Sequence, residues 1–377
     1  AETLAALARA AQHWRSRFNI PLVAVAGSNG KTSTKEMTAA ILAQAGSCLA
    51  TRGNLNNHIG VPLTLLRLAA EHRFAVIEMG ANQIGDVASL VELAAPSIGL
   101  ITNAGAEHLE GFGTLEAVAR AEGEVIEALP ASATAVINAD DPYAALWRGM
   151  TRAQVVDFGM AEGAAWRAQD VHCSVDAQGF KTRFTLVSPK GRAAVVLALA
   201  GRHNVMNALA AAAAAAAAGA SLANIVAGLA SVRAVPGRLQ FKRAHSGAWL
   251  IDDSYNANPS SVRAGIEVLA QLDGHKWLVL GEMAELGDFA ESSHAEIGAF
   301  ARAHGVERLF ATGALTAAAV ASFGAGGQWF PDATALSAAL LAGADAGVRL
   351  LVKGSRVNRL ERVVEALTAA PARARAE

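Results

Sequence analysis

The segment Gly27-Ser28-Asn29-Gly30-Lys31-Thr32 follows directly on the apolar run Pro21-Leu22-Val23-Ala24-Val25-Ala26, and it constrains the fold more than any other stretch. Helix-compatible residues follow it, from Ser33 through Leu42. A strand, a glycine-rich loop and a helix, in that order, suit a triphosphate. Backbone N–H groups of the loop and of the helix N-terminus point at the phosphates. Lys31 has the reach for the β- and γ-phosphates, and the Thr32 hydroxyl can ligate Mg²⁺. Gly27, Ser28, Asn29, Gly30, Lys31, Thr32 and Ser33 are therefore the candidate nucleotide contacts. The usual phosphate loop has four residues between its glycines, and this one has Ser28 and Asn29 alone. The competing interpretation is a glycine turn after a strand that binds nothing.

The rest of the chain extends the same pattern. Apolar runs at Leu22–Ala26, Phe74–Glu78, Gly99–Asn103 and Ala133–Asn138 alternate with helical patterns. Such alternation predicts an α/β fold with a parallel sheet covered on both faces. Ligands on such sheets gather at the carboxyl ends of the strands. The first three runs end in the glycine loop, in Glu78 and in the segment leading to His108, so three strands aim at one crevice. From Asp170 to Leu199 the period changes to two. Phe180–Val187 and Ala193–Leu199 flank Ser188-Pro189-Lys190-Gly191, which predicts a small antiparallel hairpin inserted before an alanine-rich helix at Ala208–Ala218. After Ala234-Val235-Pro236-Gly237-Arg238 the alternation restarts, with strands predicted at Ala248–Asp252, Trp277–Leu280, Leu309–Ala311 and Arg349–Val352. The expected domains are residues 1–234, a central ATP-binding domain, and residues 235–377, a Rossmann-like α/β domain. The tail from Ala370 to Glu377 is expected to fray.

Composition narrows the function classes. A chain of 377 residues is long enough for two domains, and 53% hydrophobic residues supply their cores. A formal net charge of −1 offers no basic field for nucleic acid. No run reaches the ~18 to 20 apolar residues of a membrane span. Cys48 and Cys173 have no metal-ligand or disulfide spacing, which suits a reducing, cytoplasmic compartment. No signal segment opens the chain. It starts inside a predicted helix, Thr3–Phe18, which fits a fragment of something longer.

Several polar residues fall where chemistry is expected. Glu78 closes a strand and can ligate Mg²⁺ through oxygen, or stand in solvent. His108 is either a ligand or a hydrogen-bonded structural histidine. Asn54, Asn56 and Asn57 either orient a substrate or form turns.

Taken in order, these motifs resemble the Mur ligases of bacterial cell-wall synthesis, and within them the MurF type. The resemblance rests on Gly27–Thr32, Gly53-Asn54-Leu55-Asn56-Asn57 with Ile59-Gly60-Val61-Pro62, His108–Gly113, Gly201-Arg202-His203-Asn204 with Asn207-Ala208-Leu209-Ala210, and Val235-Pro236-Gly237-Arg238. It continues in Asp252-Asp253-Ser254-Tyr255-Asn256-Ala257-Asn258-Pro259, Gly281-Glu282-Met283-Ala284-Glu285-Leu286-Gly287 and Val352-Lys353-Gly354-Ser355-Arg356. It implies a ligase that joins D-alanyl-D-alanine to UDP-N-acetylmuramoyl-tripeptide with ATP and Mg²⁺. It further implies Lys31, Glu78 and His108 in catalysis, and Thr32, Glu78 and His108 at the metal. Asn204 and Asn207 would lie near adenine, with helix N-capping as the alternative. Arg238 and Asp253 would reach the nucleotide, although Arg238 could be a plain surface arginine at a hinge. Asn56, Asn57, Asn256, Asn258, Lys353 and Arg356 would serve the substrates.

Two departures stand out against that family. Glu122 occupies the position where members usually carry a lysine that becomes carbamylated and bridges metal. Either its carboxylate replaces the carbamate as a metal ligand, without need of CO₂, or it is merely solvated. Members also begin with a small domain that binds the UDP end of the substrate, and only about twenty residues precede the loop strand here. The implied chemistry is carboxylate attack on the γ-phosphate, an acyl phosphate, and amine attack upon it. The alternatives are another amide ligase of the Mur or folylpolyglutamate kind, a P-loop kinase or NTPase switch, and an inactive fragment that retains ATP binding.

Overall fold

In the chain's first strand, β1 (Leu22–Ala26), five apolar residues follow one another, and every one is buried. A strand apolar at all positions needs cover on both faces, so it belongs inside a parallel sheet. The structure, a computed structural model, describes residues 2–106, 109–176 and 178–369. The sheet that contains β1 has nine strands. The others are β2 (Cys48–Ala50), β3 (Phe74–Glu78), β4 (Ile98–Ile101), β5 (Thr134–Asn138), β6 (Gln154–Gly159), β7 (Trp166–Asp176), β8 (Gly179–Ser188) and β9 (Gly191–Leu197). Their order is β2-β3-β1-β4-β5-β6-β7-β8-β9. β1 lies between β3 and β4 and is parallel to both, so the three strand ends singled out above are neighbours.

One face of this sheet is covered by the helices Glu2–Arg15, Gly60–Leu65, Asp86–Ala94 and Leu115–Glu127. The other carries the helices Lys31–Ala43, Arg202–Ala217 and Leu222–Ser231. The alanine-rich helix is buried along most of its length, because methyl side chains let backbones approach closely. On the same face, in the Leu222–Ser231 helix, a Cβ on Gly228 would stand 2.4 Å from the Cα of Ile41. The predicted hairpin is present, and β8 and β9 are antiparallel from Thr182↔Leu197 to Ser188↔Gly191. They extend the edge of the main sheet rather than forming a separate sheet. The first helix stops at Arg15, before the predicted Phe18, where the Arg15 guanidinium donates to the carbonyls of Phe18, Ala94 and Ala95.

A second compact unit takes over after Arg233 and also includes the short segments Val175–Phe180 and Leu199–Gly201. Its six strands are β10 (Gln240–Arg243), β11 (Trp249–Asp253), β12 (His275–Leu280), β13 (Arg308–Thr312), β14 (Gly327–Phe330) and β15 (Val348–Lys353). The order is β10-β11-β15-β12-β13-β14, and only β10 runs antiparallel to its neighbour. The helices Pro259–Ala270, Ala290–Ala303 and Thr316–Phe323 pack on one face, and Ala333–Gly343 and Glu361–Thr368 on the other. From β12 the chain moves towards β13, and from β15 it turns back towards β11. The carboxyl ends of β12 and β15 therefore form the switch point at which open α/β sheets usually hold ligands.

Candidate nucleotide and metal site

The glycine loop is braced before any ligand arrives. Gly27 and Gly30 have φ of 120° and 85°, a backbone region that favours glycine. A Cβ on Gly27 would stand 2.1 Å from Thr102 Oγ1, and one on Gly30 2.3 Å from Asn207 Oδ1. The residues just past β4 hold the loop. Ser28 N–H donates to Asn103 O at 2.9 Å, and Asn29 N–H to Asn103 Oδ1 at 3.0 Å. Asn103 Nδ2 and Thr102 Oγ1 both donate to Asn29 O, at 2.9 and 2.7 Å. Gly105 N–H donates to the Ser28 hydroxyl at 2.8 Å. Lys31 Nζ folds over the loop and donates to Gly27 O at 2.5 Å and Ser28 O at 3.1 Å. Gly30 is the N-cap of the Lys31–Ala43 helix and supplies no side-chain cap. The first-turn N–H groups thus keep the orientation that suits an anion.

Beside the loop, at the end of β3, stands Glu78, 2% exposed. Its Oε1 accepts from Asn56 Nδ2 at 2.9 Å and from the Thr32 hydroxyl at 3.3 Å. Its backbone N–H donates to Thr51 Oγ1 at 3.0 Å. Oε2 is buried and has no hydrogen-bond partner. A buried carboxylate oxygen without a donor is costly unless a cation serves it. Thr32 and Glu78 therefore fit a hard divalent cation that completes its shell with phosphate oxygens and water. Among the described residues no three His, Cys, Asp or Glu side chains converge into an all-protein metal cage. His108, the third proposed ligand, lies outside the described residues.

Glu122 reaches the glycine loop from the face of the sheet opposite the Lys31–Ala43 helix. It is buried in the Leu115–Glu127 helix, and its Oε2 accepts Gly27 N–H at 2.6 Å. The solvated alternative for Glu122 is thereby excluded. Asn204 and Asn207 lie inside the Arg202–Ala217 helix, both buried, with Asn207 Nδ2 donating to Asn204 Oδ1 at 3.3 Å. Neither caps that helix, and Asn207 abuts Gly30 of the loop. Asn56 joins Glu78, whereas Asn57 turns to local work. Its Oδ1 accepts from the N–H groups of Ile59 and Gly60 at the start of the Gly60–Leu65 helix.

In the second unit the β11 and β15 ends meet in a buried ion pair. Lys353 Nζ lies 2.6 Å from Asp253 Oδ2 and donates to Asn256 O at 2.9 Å. Asp253 Oδ1 accepts Leu239 N–H at 3.1 Å. Burial pushes the Asp253 carboxyl up, against the opposing pull of Lys353 and Arg238. The Arg238 guanidinium lies over the Tyr255 ring, 4.4 Å from its centroid. Asn258 caps the Pro259–Ala270 helix in a reciprocal box with Ser261. Arg356 is exposed and lies 3.5 Å from Glu361. The Lys353 ammonium thus fastens the Asp253–Asn258 loop from below.

Sequence reasoning did not single out Thr51, Thr102, Asn103 or Lys35. Thr102 and Asn103 are the last two residues of the predicted strand Gly99–Asn103 and stand just past the observed one, which ends at Ile101, and Lys35 follows Lys31 by one helical turn. Those positions were the available signals.

Two family descriptions match the chain: the Mur ligase middle domain over residues 25–215 and the Mur ligase, glutamate ligase domain over residues 237–356. The UDP-N-acetylmuramoyl-tripeptide–D-alanyl-D-alanine ligase of Escherichia coli (strain K12) is 44% identical over 358 residues, 94% of this chain and 78% of that protein. A crystal structure of MurF from Acinetobacter baumannii superposes with a TM-score of 0.90 at 34% identity, covering 97% of this chain and 80% of that one. MurF ligase from Thermotoga maritima, solved in complex with ADP, gives a TM-score of 0.87 at 28% identity, covering 97% of this chain and 83% of that one.

Proposed function

This chain belongs to the Mur ligase family, and we propose that it joins D-alanyl-D-alanine to UDP-N-acetylmuramoyl-tripeptide with cleavage of ATP to ADP and phosphate. The observation that carries this reading is the 44% identity, over 94% of the chain, to a ligase of that name. The geometry of the first unit supplies the parts such a reaction needs. Among the described residues no helix is long and apolar enough to cross a membrane, which suits a cytoplasmic step on a nucleotide-linked precursor.

A carboxylate and an amine do not condense at neutral pH, so the carboxylate must acquire a leaving group. In the proposed reaction an oxygen of the tripeptide's terminal carboxylate attacks the γ-phosphorus, the bond to ADP breaks, and an acyl phosphate forms. The amine of D-alanyl-D-alanine then attacks the acyl carbon, phosphate departs, and the amine gives up a proton. Gly27–Ser33 hold the triphosphate, and Lys31 Nζ, already placed over the loop, faces the charge on the transferred group. Thr32, Glu78 and His108 are the residues assigned to Mg²⁺, which when bound neutralises phosphoryl oxygens. Asn56 keeps Glu78 aimed. Asn204 and Asn207 serve the adenine side, and Arg238 and Asp253 the nucleotide. Asn57, Asn256, Asn258, Lys353 and Arg356 are assigned to the substrates, with Asn57, Asn258 and Lys353 acting by shaping the backbone that meets them. Residues 1–234 make up the ATP-binding domain and residues 235–377 the C-terminal ligase domain.

The test is phosphate release from ATP and Mg²⁺ with UDP-N-acetylmuramoyl-tripeptide, with and without D-alanyl-D-alanine. Dipeptide-dependent release with pentapeptide formation is expected. Release that ignores every amine would make the chain an NTPase, and release driven by another amine would make it a different ligase.

A further inference from the structure

Lys35 is a buried charge that the chemistry above leaves without a task. It lies one turn beyond Lys31 on the Lys31–Ala43 helix and is 0% exposed. Its Nζ donates to Thr51 O at 2.8 Å and lies 2.8 Å from Glu36 Oε1. On its other side it stands 4.0 Å from Glu78 Oε2, the carboxylate oxygen that no hydrogen bond serves. The same Thr51 accepts the Glu78 N–H through its hydroxyl, so one residue fixes both the ammonium and the carboxylate.

We propose that Lys35 is the standing counter-ion of Glu78, a positioning residue that balances the metal-binding carboxylate while its cation is away and loosens the cation's hold when it returns. The inference rests on the reading of Glu78 as a metal ligand. A carboxylate as buried as Glu78 is unstable in place without a compensating charge. An ammonium in direct hydrogen bond with Oε2 would supply that charge but occupy the direction a metal needs. At 4.0 Å, outside hydrogen-bond reach, it supplies the charge and leaves the oxygen open. Thr51 and Glu36 hold the ammonium at that distance. Once a divalent ion arrives, two cations share one carboxylate, and their repulsion weakens binding. Such a site suits an ion that enters and leaves with the nucleotide at every turnover.

The experiment uses the full chain with Lys35→Met, Lys35→Arg, Glu78→Gln and the Lys35→Met/Glu78→Gln double variant. Mn²⁺ binding in the presence of ADP is followed by electron paramagnetic resonance, and thermal unfolding is followed without metal. Lys35→Met is expected to bind Mn²⁺ about tenfold more tightly and to melt lower when metal-free. The melting loss should shrink in the double variant, where no carboxylate needs balancing. Lys35→Arg, which keeps the charge, should restore both readouts. Unchanged or weaker Mn²⁺ binding in Lys35→Met, with Glu78→Gln still impairing it, overturns the inference alone. Unimpaired Mn²⁺ binding in Glu78→Gln overturns the metal reading and the inference with it. If Lys35→Met does not fold, a folded double variant supports the pairing and an unfolded one overturns it.

Discussion

The carboxylate of Glu122 holds the first glycine of the loop, its Oε2 accepting the Gly27 N–H at 2.6 Å. A helix on one face of the sheet thereby fixes a loop that emerges from the strand beside it. The contact also places a buried carboxyl group at the carboxyl end of β1.

Glu122 is therefore expected to make catalysis independent of bicarbonate. Wild-type rates should not change when dissolved CO₂ is removed, and Glu122→Lys should become dependent on it. Glu122→Ala should lose about 10- to 100-fold in kcat/KM, since a hydrogen bond to a charged group is worth about 1.5–3 kcal/mol and about 1.4 kcal/mol is one decade. Full activity in Glu122→Ala would return this residue to a purely structural role.

Asn56 aims Glu78 through one hydrogen bond of 2.9 Å. Asn56→Ala should raise the half-saturating Mg²⁺ concentration about 10- to 100-fold, with a smaller change in the KM for ATP. A Mg²⁺ titration of initial rates reads this directly, and an unshifted curve would show that Glu78 needs no such guide.

Gly30→Ala places a methyl group 2.3 Å from Asn207 Oδ1 at a φ of 85°. The left-handed backbone alone costs about 1–2 kcal/mol. Calorimetric ADP affinity should drop at least about tenfold, since about 1.4 kcal/mol is one decade, while the circular dichroism of the fold stays native. Wild-type affinity would mean that the loop and Asn207 give way without consequence.

His294 is 0% exposed, with Nε2 accepting Met283 N–H at 2.9 Å and Nδ1 against Ala290 O at 2.6 Å. Burial holds its pKa below the ordinary 6.5. The unfolded chain therefore takes up the proton first as pH falls, and the stabilisation is complete above pH 6.5 and declines below it. The melting temperatures of wild type and His294→Leu should converge between about pH 7.5 and 5.5. A constant gap across that range would show that the ring does not titrate on unfolding.

Lys353 and Arg356 are three residues apart and should differ widely in their effects. Lys353→Met strands the buried Asp253 carboxylate and should cost about 3–5 kcal/mol in urea unfolding. Arg356→Ala removes an exposed pair and should cost no more than about 1 kcal/mol. Equal costs would contradict the burial of the first pair.

The alternation of apolar runs and helical patterns was legible because an α/β sheet writes its strands as short apolar segments. β1 and β3 begin and end at the predicted residues. β2, β6 and β14 were not legible. The first and last have only three and four residues, and the burial pattern of β6 begins with exposed positions, so none shows a clear apolar period. The candidate site was legible as a set of strand ends, but not in its internal wiring. Asn56 and Asn57 are neighbours of the same type, and only one of them reaches Glu78.

The sequence by itself determined the strand–loop–helix unit at Gly27–Thr32, since backbone direction and glycine placement there are local properties. It also determined the order of the chemical motifs along the chain. Only the tertiary structure decided which charges meet. Glu122 comes 95 residues after Gly27, and Glu78 lies 46 residues beyond Thr32. Their contacts depend on which strands are neighbours and how each helix is rotated against the sheet. A carboxylate buried beside an amide or an ammonium acquires its role from that desolvated neighbour, and no local pattern in the sequence specifies the neighbour.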